Sequence, residues 1–296
     1  MDYIVTQGLR KTQFEKFAQW TDLFQGKINA DIIISGSSRA WWHYSPKVFE
    51  EDTKCSAYNL GMNGSTFYLQ YYRYLTYLKY NKKPKVIIQN LDDFSLQKYE
   101  YIANQEQFLP YVDEETIINP VLTYKTLNKF ELKIPFFRYI GEYKVIRVGL
   151  LEFFNIKHFT TDNYKGFEGQ KTTWNDEEIG RLKKFEKTKI DLDSESVELF
   201  KLFLRETKRS EIKLVLVYSP FYIEGQSVYS NHNEMLSLYR KLAEENGILF
   251  LDYSKHPISY RKELYHNAMH LNETGAELFS KDVAMKLAEN MKICNQ

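Results

Sequence analysis

The segment DIIISGSSRAWWHY, residues 31–44, decides how the rest of the chain is interpreted. Its apolar run ends abruptly at Gly36-Ser37-Ser38-Arg39, and two tryptophans follow. A short apolar run that stops at a glycine is typical of a strand buried on both faces of a parallel sheet. The segment therefore predicts a strand and then a tight turn that presents hydroxyl groups at the edge of the sheet.

The same pattern recurs along the chain. Strands are predicted at residues 30–36, 56–61, 85–91, 213–220 and 248–254, and helices at about 65–81, 194–208, 233–246 and 273–290. Alternating strands and helices imply right-handed crossover connections. We therefore predict an α/β fold with a doubly wound, flavodoxin-like parallel sheet of about five strands flanked by helices, in a single domain over residues 1–296.

Residues 95–190 break this alternation. They are rich in Phe, Tyr, Lys and Asn, and the stretch 160–176 has the composition of a surface loop. We interpret 95–190 as an aromatic-rich insertion after the third strand. It serves either as a lid or partner surface, or as an insertion that only packs against the outer helices.

Composition and charge exclude several functional classes. The 40 Lys and Arg residues nearly balance the 39 Asp and Glu residues, so no net charge favours nucleic acid or an anionic membrane. No window approaches the roughly 18 apolar residues of a membrane span. Cys55 and Cys294 lie too far apart to indicate a disulfide framework, and the histidines lack metal-ligand spacing. We expect a soluble chain with no nucleic-acid partner, no cofactor and no metal.

The residues that follow each predicted strand form one group, because ligands of a doubly wound sheet bind beyond the carboxyl ends of its strands. This group contains Ser38 and, after the last strand, His270. A serine at a tight strand-to-helix turn, with a histidine to take its proton and backbone amides to bind an oxyanion, forms the machinery of acyl transfer. The members of the group are Gly36 to Arg39, Gly61 to Gly64, Asp92, Asp93, Ser219, Pro220, Asp252 and His270.

Three short motifs resemble those of the SGNH (GDSL-type) hydrolases. IIISGSSRA resembles their Gly-Asp-Ser block, YNLGMNGST their glycine block, and NAMHLNETGAELF their Asp-x-x-His block, in the same order. The Gly-Ser-Ser-Arg variant, with NLGMNG, is similar to a branch associated with acylation or deacylation of bacterial cell-envelope polysaccharides. The resemblance covers residues 30–95 and 210–290, and it implies a serine esterase or acyltransferase.

The resemblance also implies roles for individual residues. Ser38 matches the nucleophile and His270 the base, while the Ser38 and Gly61 amides match the oxyanion donors. Ser37 replaces the aspartate of the first block. Asn63 either donates its side-chain amide to the oxyanion or is a turn residue, since Asn-Gly is a strong turn signal.

Two departures from the family pattern concern carboxylates. In the third block, Asp93 stands where the family has an oxyanion-binding asparagine, and an ionised carboxylate cannot donate a hydrogen bond. Asp92 or Asp93 therefore points away, binds a basic substrate group, or marks a lost function. Asn267 replaces the aspartate that normally orients the histidine. Either Asp252 or a backbone carbonyl would then orient His270.

Other residues near the turn allow two readings each. Arg39 either holds an anionic substrate group or pairs with Asp92 or Asp93. Trp41 and Trp42 either stack on sugar rings or belong to the core.

The sequence thus predicts an SGNH-type esterase or acyltransferase whose substrate is a carbohydrate or small acyl ester, plausibly an O-acetyl ester. Its catalytic residues are Ser38, His270 and Asn267. The competing hypothesis is a catalytically degenerate domain that binds a glycan or an envelope-assembly partner. A phosphate-binding domain is a third, because Gly36-Ser37-Ser38 is a short glycine-containing loop. By resemblance, the protein is expected to work outside the cytoplasm or in the cell envelope.

Overall fold

The computed structural model describes residues 1–174 and 187–291. Part of the predicted insertion, 175–186, and Cys294 lie outside the described residues. The strands are β1 (Ile32–Gly36), β2 (Ala57–Gly61), β3 (Val86–Leu91), β4 (Lys213–Tyr218), β5 (Leu249–Asp252), β6 (Tyr265–Asn267) and β7 (His270–Leu271). The helices are α1 (Asp2–Leu9), α2 (Phe17–Phe24), α3 (Ser38–His43), α4 (Pro46–Thr53), α5 (Phe67–Tyr80), α6 (Glu115–Val121), α7 (Lys129–Lys133), α8 (Tyr143–Phe153), α9 (Ser194–Arg209), α10 (His232–Asn246) and α11 (Glu273–Asn290).

The first five strands form one parallel sheet in the order β2-β1-β3-β4-β5. This order confirms the predicted flavodoxin-like sheet. Strands β2 and β3 consist entirely of buried residues, as expected when helices cover a parallel sheet. The strand order reverses at β1, so the crevice between β1 and β3 is the position where such folds bind ligands. Ser38 follows β1 at this position.

The chain divides into two compact units. The sheet unit contains residues 30–67, 83–98 and 164 onward, and the helical unit contains residues 1–29, 68–82 and 99–163. Residues 99–163 of the predicted insertion thus belong to the helical unit, together with the start of the chain. The expectation of one domain over 1–296 with an insertion at 95–190 stays a prediction.

Helices of the sheet unit pack on the strands and on one another. α3 and α4 contact β2, α9 contacts β4, α10 contacts β5, and α11 packs on α3 and α4. Phe279 of α11 lies edge-on against Tyr44 and Tyr253, with ring centroids 4.9 Å apart in both pairs. Cys55 is buried in the core of this unit.

The helical unit has its own aromatic core. Gly8 of α1 lies against Gly149 of α8, where a Cβ on Gly8 would come within 1.8 Å of the Gly149 carbonyl oxygen, so the two helices meet through glycines. Trp20 is buried under the guanidinium of Arg73, 4.4 Å from its ring centroid. None of the helices within residues 1–174 and 187–291 has the length and apolar character needed to cross a membrane.

Candidate active site

The turn between β1 and α3 places Ser38 as the first residue of α3. Gly36 has φ of 150°, and a Cβ there would lie 2.7 Å from the Cβ of Ala40 and 2.8 Å from that of Asn90. Only glycine therefore allows the chain to leave β1 so close to β3. Ser38 is 7% exposed.

Ser38 and His270 are in direct contact. The Ser38 Oγ lies 2.8 Å from the His270 Nε2. On the other side of the ring, the His270 Nδ1 lies 3.0 Å from the Asn267 Oδ1. Because an amide oxygen only accepts hydrogen bonds, the Nδ1 carries the proton and the Nε2 presents its lone pair to the serine. The neutral asparagine thus selects the tautomer that a general base needs.

The hairpin of β6 and β7 holds Asn267 in this position. The Asn267 Oδ1 also accepts hydrogen bonds from the backbone amides of Met269 and His270, both at 3.0 Å. The three donations fix the side-chain oxygen under the imidazole. The amide oxygen carries no full charge, however, so it stabilises an imidazolium less than a carboxylate would.

Burial, followed by the charges of Arg39 and His266, lowers the pKa of His270 to about 3. The ring of Trp42 packs edge-to-face against the imidazole, with centroids 4.4 Å apart. Among the described residues, no carboxylate pairs with this histidine to counter the desolvation. His270 is therefore neutral, in the form that accepts a proton, throughout the neutral and mildly acidic pH range.

Ser37, the neighbour of the candidate nucleophile, has a structural role. Its Oγ donates to the Asp92 Oδ2 at 2.6 Å and accepts from the Arg39 backbone amide at 3.3 Å, which caps α3. The Arg39 guanidinium lies 3.2 Å from the Asp92 Oδ1. Ser37, Arg39 and Asp92 thus form a buried polar cluster that links the start of α3 to the end of β3.

Arg39 does not face the solvent. It is 1% exposed, its guanidinium lies 4.4 Å from the centroid of the Tyr218 ring, and its Nε donates to the Ser219 Oγ at 3.1 Å. The sequence left open whether Arg39 binds a substrate group or pairs with an aspartate, and in the structure it pairs with Asp92. A contact with an anionic substrate group does not fit this burial.

Asp93 is also buried, away from the solvent. Its carboxylate accepts from the Tyr218 hydroxyl and from the His232 Nδ1, both at 2.6 Å. These contacts tie β3 to β4 and to the start of α10. Neither Asp92 nor Asp93 is placed to bind a basic substrate group, because both are fully buried. Of the three alternatives from the sequence, the structure has the first, because both side chains point into the protein interior.

His43 holds the strand that carries His270. Its Nε2 accepts from the backbone amide of Leu271 at 3.0 Å, and its Nδ1 donates to the Ser219 Oγ at 3.1 Å. Burial, followed by the charges of Arg39 and His270, lowers the pKa of His43 well below its usual value. The neutral ring therefore holds β7, and with it His270, against α3.

The Gly61 amide is not placed as expected. It donates to the Asn59 Oδ1 at 2.8 Å, so it does not point at an oxyanion. Gly61 has a packing role instead, because a Cβ there would lie 2.2 Å from the backbone nitrogen of Trp41. Asn63 is half-buried in the turn after β2, and the amide of Ser65 closes that turn on Met62 at 3.2 Å.

Asp252 does not supply the missing carboxylate. Its Oδ2 accepts from Arg240 at 2.9 Å, and its Oδ1 accepts from the Ser254 amide at 2.9 Å. The acceptor for the His270 Nδ1 is Asn267. In the described parts of the chain, no group of three or more His, Cys, Asp or Glu residues is arranged to hold a metal ion.

Asn59 is a positioning residue that the sequence analysis missed. It is fully buried in β2, and its Nδ2 donates to the carbonyl oxygens of Ala40 at 2.8 Å and Tyr44 at 2.9 Å. These are carbonyl groups at the end of α3, which lack partners within the helix. A polar residue in an otherwise apolar strand was the signal that could have revealed it.

We expect Asn59→Ala to lower the free energy of unfolding by about 1–3 kcal/mol, because buried carbonyl groups would lose their donor. The measurement is urea unfolding followed by circular dichroism. Asn290→Ala is the matched control, since the Asn290 Nδ2 also donates to a helix carbonyl, at 2.8 Å, but on an exposed surface. Equal losses in the two variants would contradict the role assigned to Asn59.

No protein-family model matches the chain, and no curated protein matches it. Several solved structures are similar. A candidate lipolytic protein of the G-D-S-L family from Desulfitobacterium hafniense is 12% identical, with a TM-score of 0.44 over 86% of this chain and 97% of that one. An acetyl xylan esterase is 14% identical, with a TM-score of 0.43 over 87% and 98% of the respective chains.

A carbohydrate acetylesterase from Sinorhizobium meliloti is 11% identical, with a TM-score of 0.42 over 88% of this chain and 99% of that one. Likenesses at these identities and TM-scores show no activity for this chain.

Proposed function

We propose that this protein is a serine esterase or acyltransferase of the SGNH type, in which Ser38 is the nucleophile, His270 the general base and Asn267 the residue that orients the base. The observation that carries this proposal is the continuous chain of contacts from the Ser38 Oγ through the His270 ring to the Asn267 Oδ1. A hydroxyl, a base with a free lone pair and an acceptor that fixes the tautomer are what acyl transfer requires.

The reaction proceeds in two steps. The Ser38 Oγ attacks the ester carbonyl carbon while the His270 Nε2 takes its proton, and the resulting imidazolium then gives that proton to the departing alcohol oxygen. This step leaves an acyl group on Ser38. Water, or a hydroxyl group of an acceptor, then attacks the acyl carbon, with His270 again taking and returning a proton, and Ser38 is regenerated.

Backbone and side-chain amides at the same sheet edge stabilise the oxyanion. The Ser38 amide is one proposed donor. Because Gly36 pairs with Gly61 in the parallel register, the residues after Gly61 follow β2 beside the turn that carries Ser38. The Gly61 amide already donates to Asn59. The proposed second donor is therefore a group in the turn after β2, either the side-chain amide of Asn63 or the backbone amide of Gly64.

The proposed substrate is an O-acetyl or other short acyl ester of a carbohydrate. This choice is supported by the resemblance of the Gly36-to-Arg39 motif and the NLGMNG stretch to the branch that acylates or deacylates envelope polysaccharides. The same resemblance supports a location outside the cytoplasm or in the cell envelope. Both release to water and transfer to an acceptor hydroxyl are compatible with the two-step scheme.

Covalent labelling tests the proposal. We expect a fluorophosphonate probe to add one phosphonyl group to the folded wild-type protein, and peptide mapping by mass spectrometry to locate it on Ser38. Ser38→Ala should not be labelled. An adduct on Ser37, or no adduct at all in a protein with an intact unfolding transition, would contradict the proposal.

A second candidate function is a binding domain without catalysis, for a glycan or an envelope-assembly partner. Asn267 favours it, because loss of the carboxylate at this position in a serine hydrolase costs on the order of 10⁴ in kcat. That figure includes the loss of the correct tautomer, which Asn267 preserves here through the His270 Nδ1. Glycan binding that is identical in wild type and Ser38→Ala, with no probe labelling, would select this function.

A further inference from the structure

Trp41 and Trp42 form a pair of stacked indole rings beside the reacting residues. They follow Ser38 on α3, their ring centroids lie 5.6 Å apart, and their planes differ by 24°. Trp42 also contacts His270, with centroids 4.4 Å apart, and lies 6.3 Å from His266. Both tryptophans are only half-buried. An aromatic surface therefore begins directly at the candidate base.

Neither indole nitrogen has a hydrogen-bond acceptor among the described residues. The Nε1 atoms of Trp41 and Trp42 are buried, and neither has a partner within residues 1–174 and 187–291. A buried donor without an acceptor destabilises the folded state, and the N–H of a buried indole usually has an acceptor. If these positions served packing alone, phenylalanine would fill them without this penalty. Two unsatisfied donors next to a reactive serine instead indicate that each indole turns about its side-chain torsions when a ligand binds, and that the ligand then supplies the acceptors.

The backbone beneath the pair is rigidly held. Asn59 bonds the carbonyl of Ala40 and approaches that of Trp41 at 3.4 Å. The absence of a side chain at Gly61 lets the Trp41 backbone lie directly on the end of β2. A backbone fixed before binding loses little conformational entropy when a ligand arrives, so only the indole torsions remain to be ordered.

We infer that Trp41 and Trp42 bind the sugar ring that carries the scissile ester, and thereby set the specificity of the enzyme for glycan esters over simple alkyl esters. A pyranose ring has a C–H face that packs on an indole and hydroxyl or ring oxygens that accept from its N–H. This inference rests on the proposed function, because it places the acylated sugar next to Ser38. It assigns the recognition of the leaving group to two named residues.

Binding without turnover tests the inference. In a Ser38→Ala background, we would titrate an O-acetylated xylo-oligosaccharide and follow tryptophan fluorescence and calorimetric heat. Trp41→Ala and Trp42→Ala should each raise Kd about tenfold or more. Trp42→Phe should raise it less, since the phenyl ring retains the stacking but lacks the N–H. Unchanged Kd values in both alanine variants would overturn the inference.

Trp174→Phe provides the matched control. The Trp174 Nε1 is likewise buried without an acceptor among the described residues, but its ring packs edge-to-face on Tyr222, with centroids 4.8 Å apart. We expect this variant to bind the oligosaccharide as the parent does. A loss equal to that of the Trp41 and Trp42 variants would show a general packing effect and would overturn the inference.

A kinetic comparison separates this inference from the proposed function. With Ser38 intact, the ratio of kcat/KM for the acetylated oligosaccharide to kcat/KM for glyceryl triacetate should fall about tenfold or more in Trp41→Ala. A ratio unchanged from wild type would overturn the inference while leaving the esterase intact. Tryptophan-dependent binding with no hydrolysis of either ester in wild type would support sugar binding by Trp41 and Trp42 and would contradict the proposed esterase activity.

Discussion

We expect Ser38→Ala and His270→Ala each to lower kcat/KM for an activated ester by a factor on the order of 10³ or more. The reason is the direct contact between the two side chains, with 2.8 Å between the serine oxygen and the imidazole nitrogen. Without the hydroxyl there is no nucleophile, and without the imidazole the hydroxyl keeps its proton. The measurement is p-nitrophenyl acetate hydrolysis at saturating and subsaturating substrate.

A double variant tests whether Ser38 and His270 act together. Residues that act as one unit have strongly non-additive effects, so Ser38→Ala/His270→Ala should be no slower than the slower single variant. Multiplicative losses would mean that the two residues contribute independently, contrary to the proposed mechanism. Ser227→Ala is the control for the serine, because Ser227 is exposed and its Oγ donates to the Glu224 carbonyl at 2.7 Å. It should retain wild-type rates.

Much of the fold was predictable because it follows from local patterns. A buried parallel strand is a short apolar run, so β1 to β5 appear in the sequence within a few residues of their observed ends. Long amphipathic helices such as α9 and α11 are also visible locally. The helical unit was not predictable, because it joins residues 1–29 to 68–82 and 99–163, and no local pattern reports contacts between segments so distant in sequence.

The site shows the same division. Ser38 and His270 could be found because the carboxyl ends of parallel strands meet at one edge, and the structure brings the two residues together there. The Gly61 amide was expected to bind an oxyanion, but it donates instead to the side chain of Asn59, two residues earlier in β2. Such side-chain geometry does not appear in sequence spacing. Burial decided the readings of Arg39 and Asp93 that the sequence had left open.

Asn267→Asp is expected to change both the rate and its pH dependence. The Asn267 Oδ1 accepts from the His270 Nδ1 and from two backbone amides, and a carboxylate could accept the same three donations. The added charge would stabilise the imidazolium that forms in the transition state. We expect kcat to rise by a factor on the order of 10 to 10³, less than the full effect of the aspartate in a serine hydrolase, because the tautomer is already correct.

The sign of the pH shift follows from the state of the base. Catalysis needs neutral His270, so activity falls as the pH drops through its pKa. In the wild type burial lowers that pKa to about 3, and the acid limb of kcat/KM should lie below about pH 5. A carboxylate beside the ring favours the charged form and raises the pKa. The acid limb of Asn267→Asp should therefore move up, towards the ordinary histidine value of about 6.5.

The measurement is kcat/KM from pH 3.5 to 8 in buffers of constant ionic strength, with Asn290→Asp as the control for an added surface charge. Asn290 is exposed in the last turn of α11, and the Asp variant there should leave the acid limb unchanged. An identical acid limb in wild type and Asn267→Asp would show that His270 is not the titrating base. A shift without a rise in kcat would mean that imidazolium formation does not limit turnover. The charge at residue 267 would then change the pKa of His270 without lowering the barrier of the slowest step.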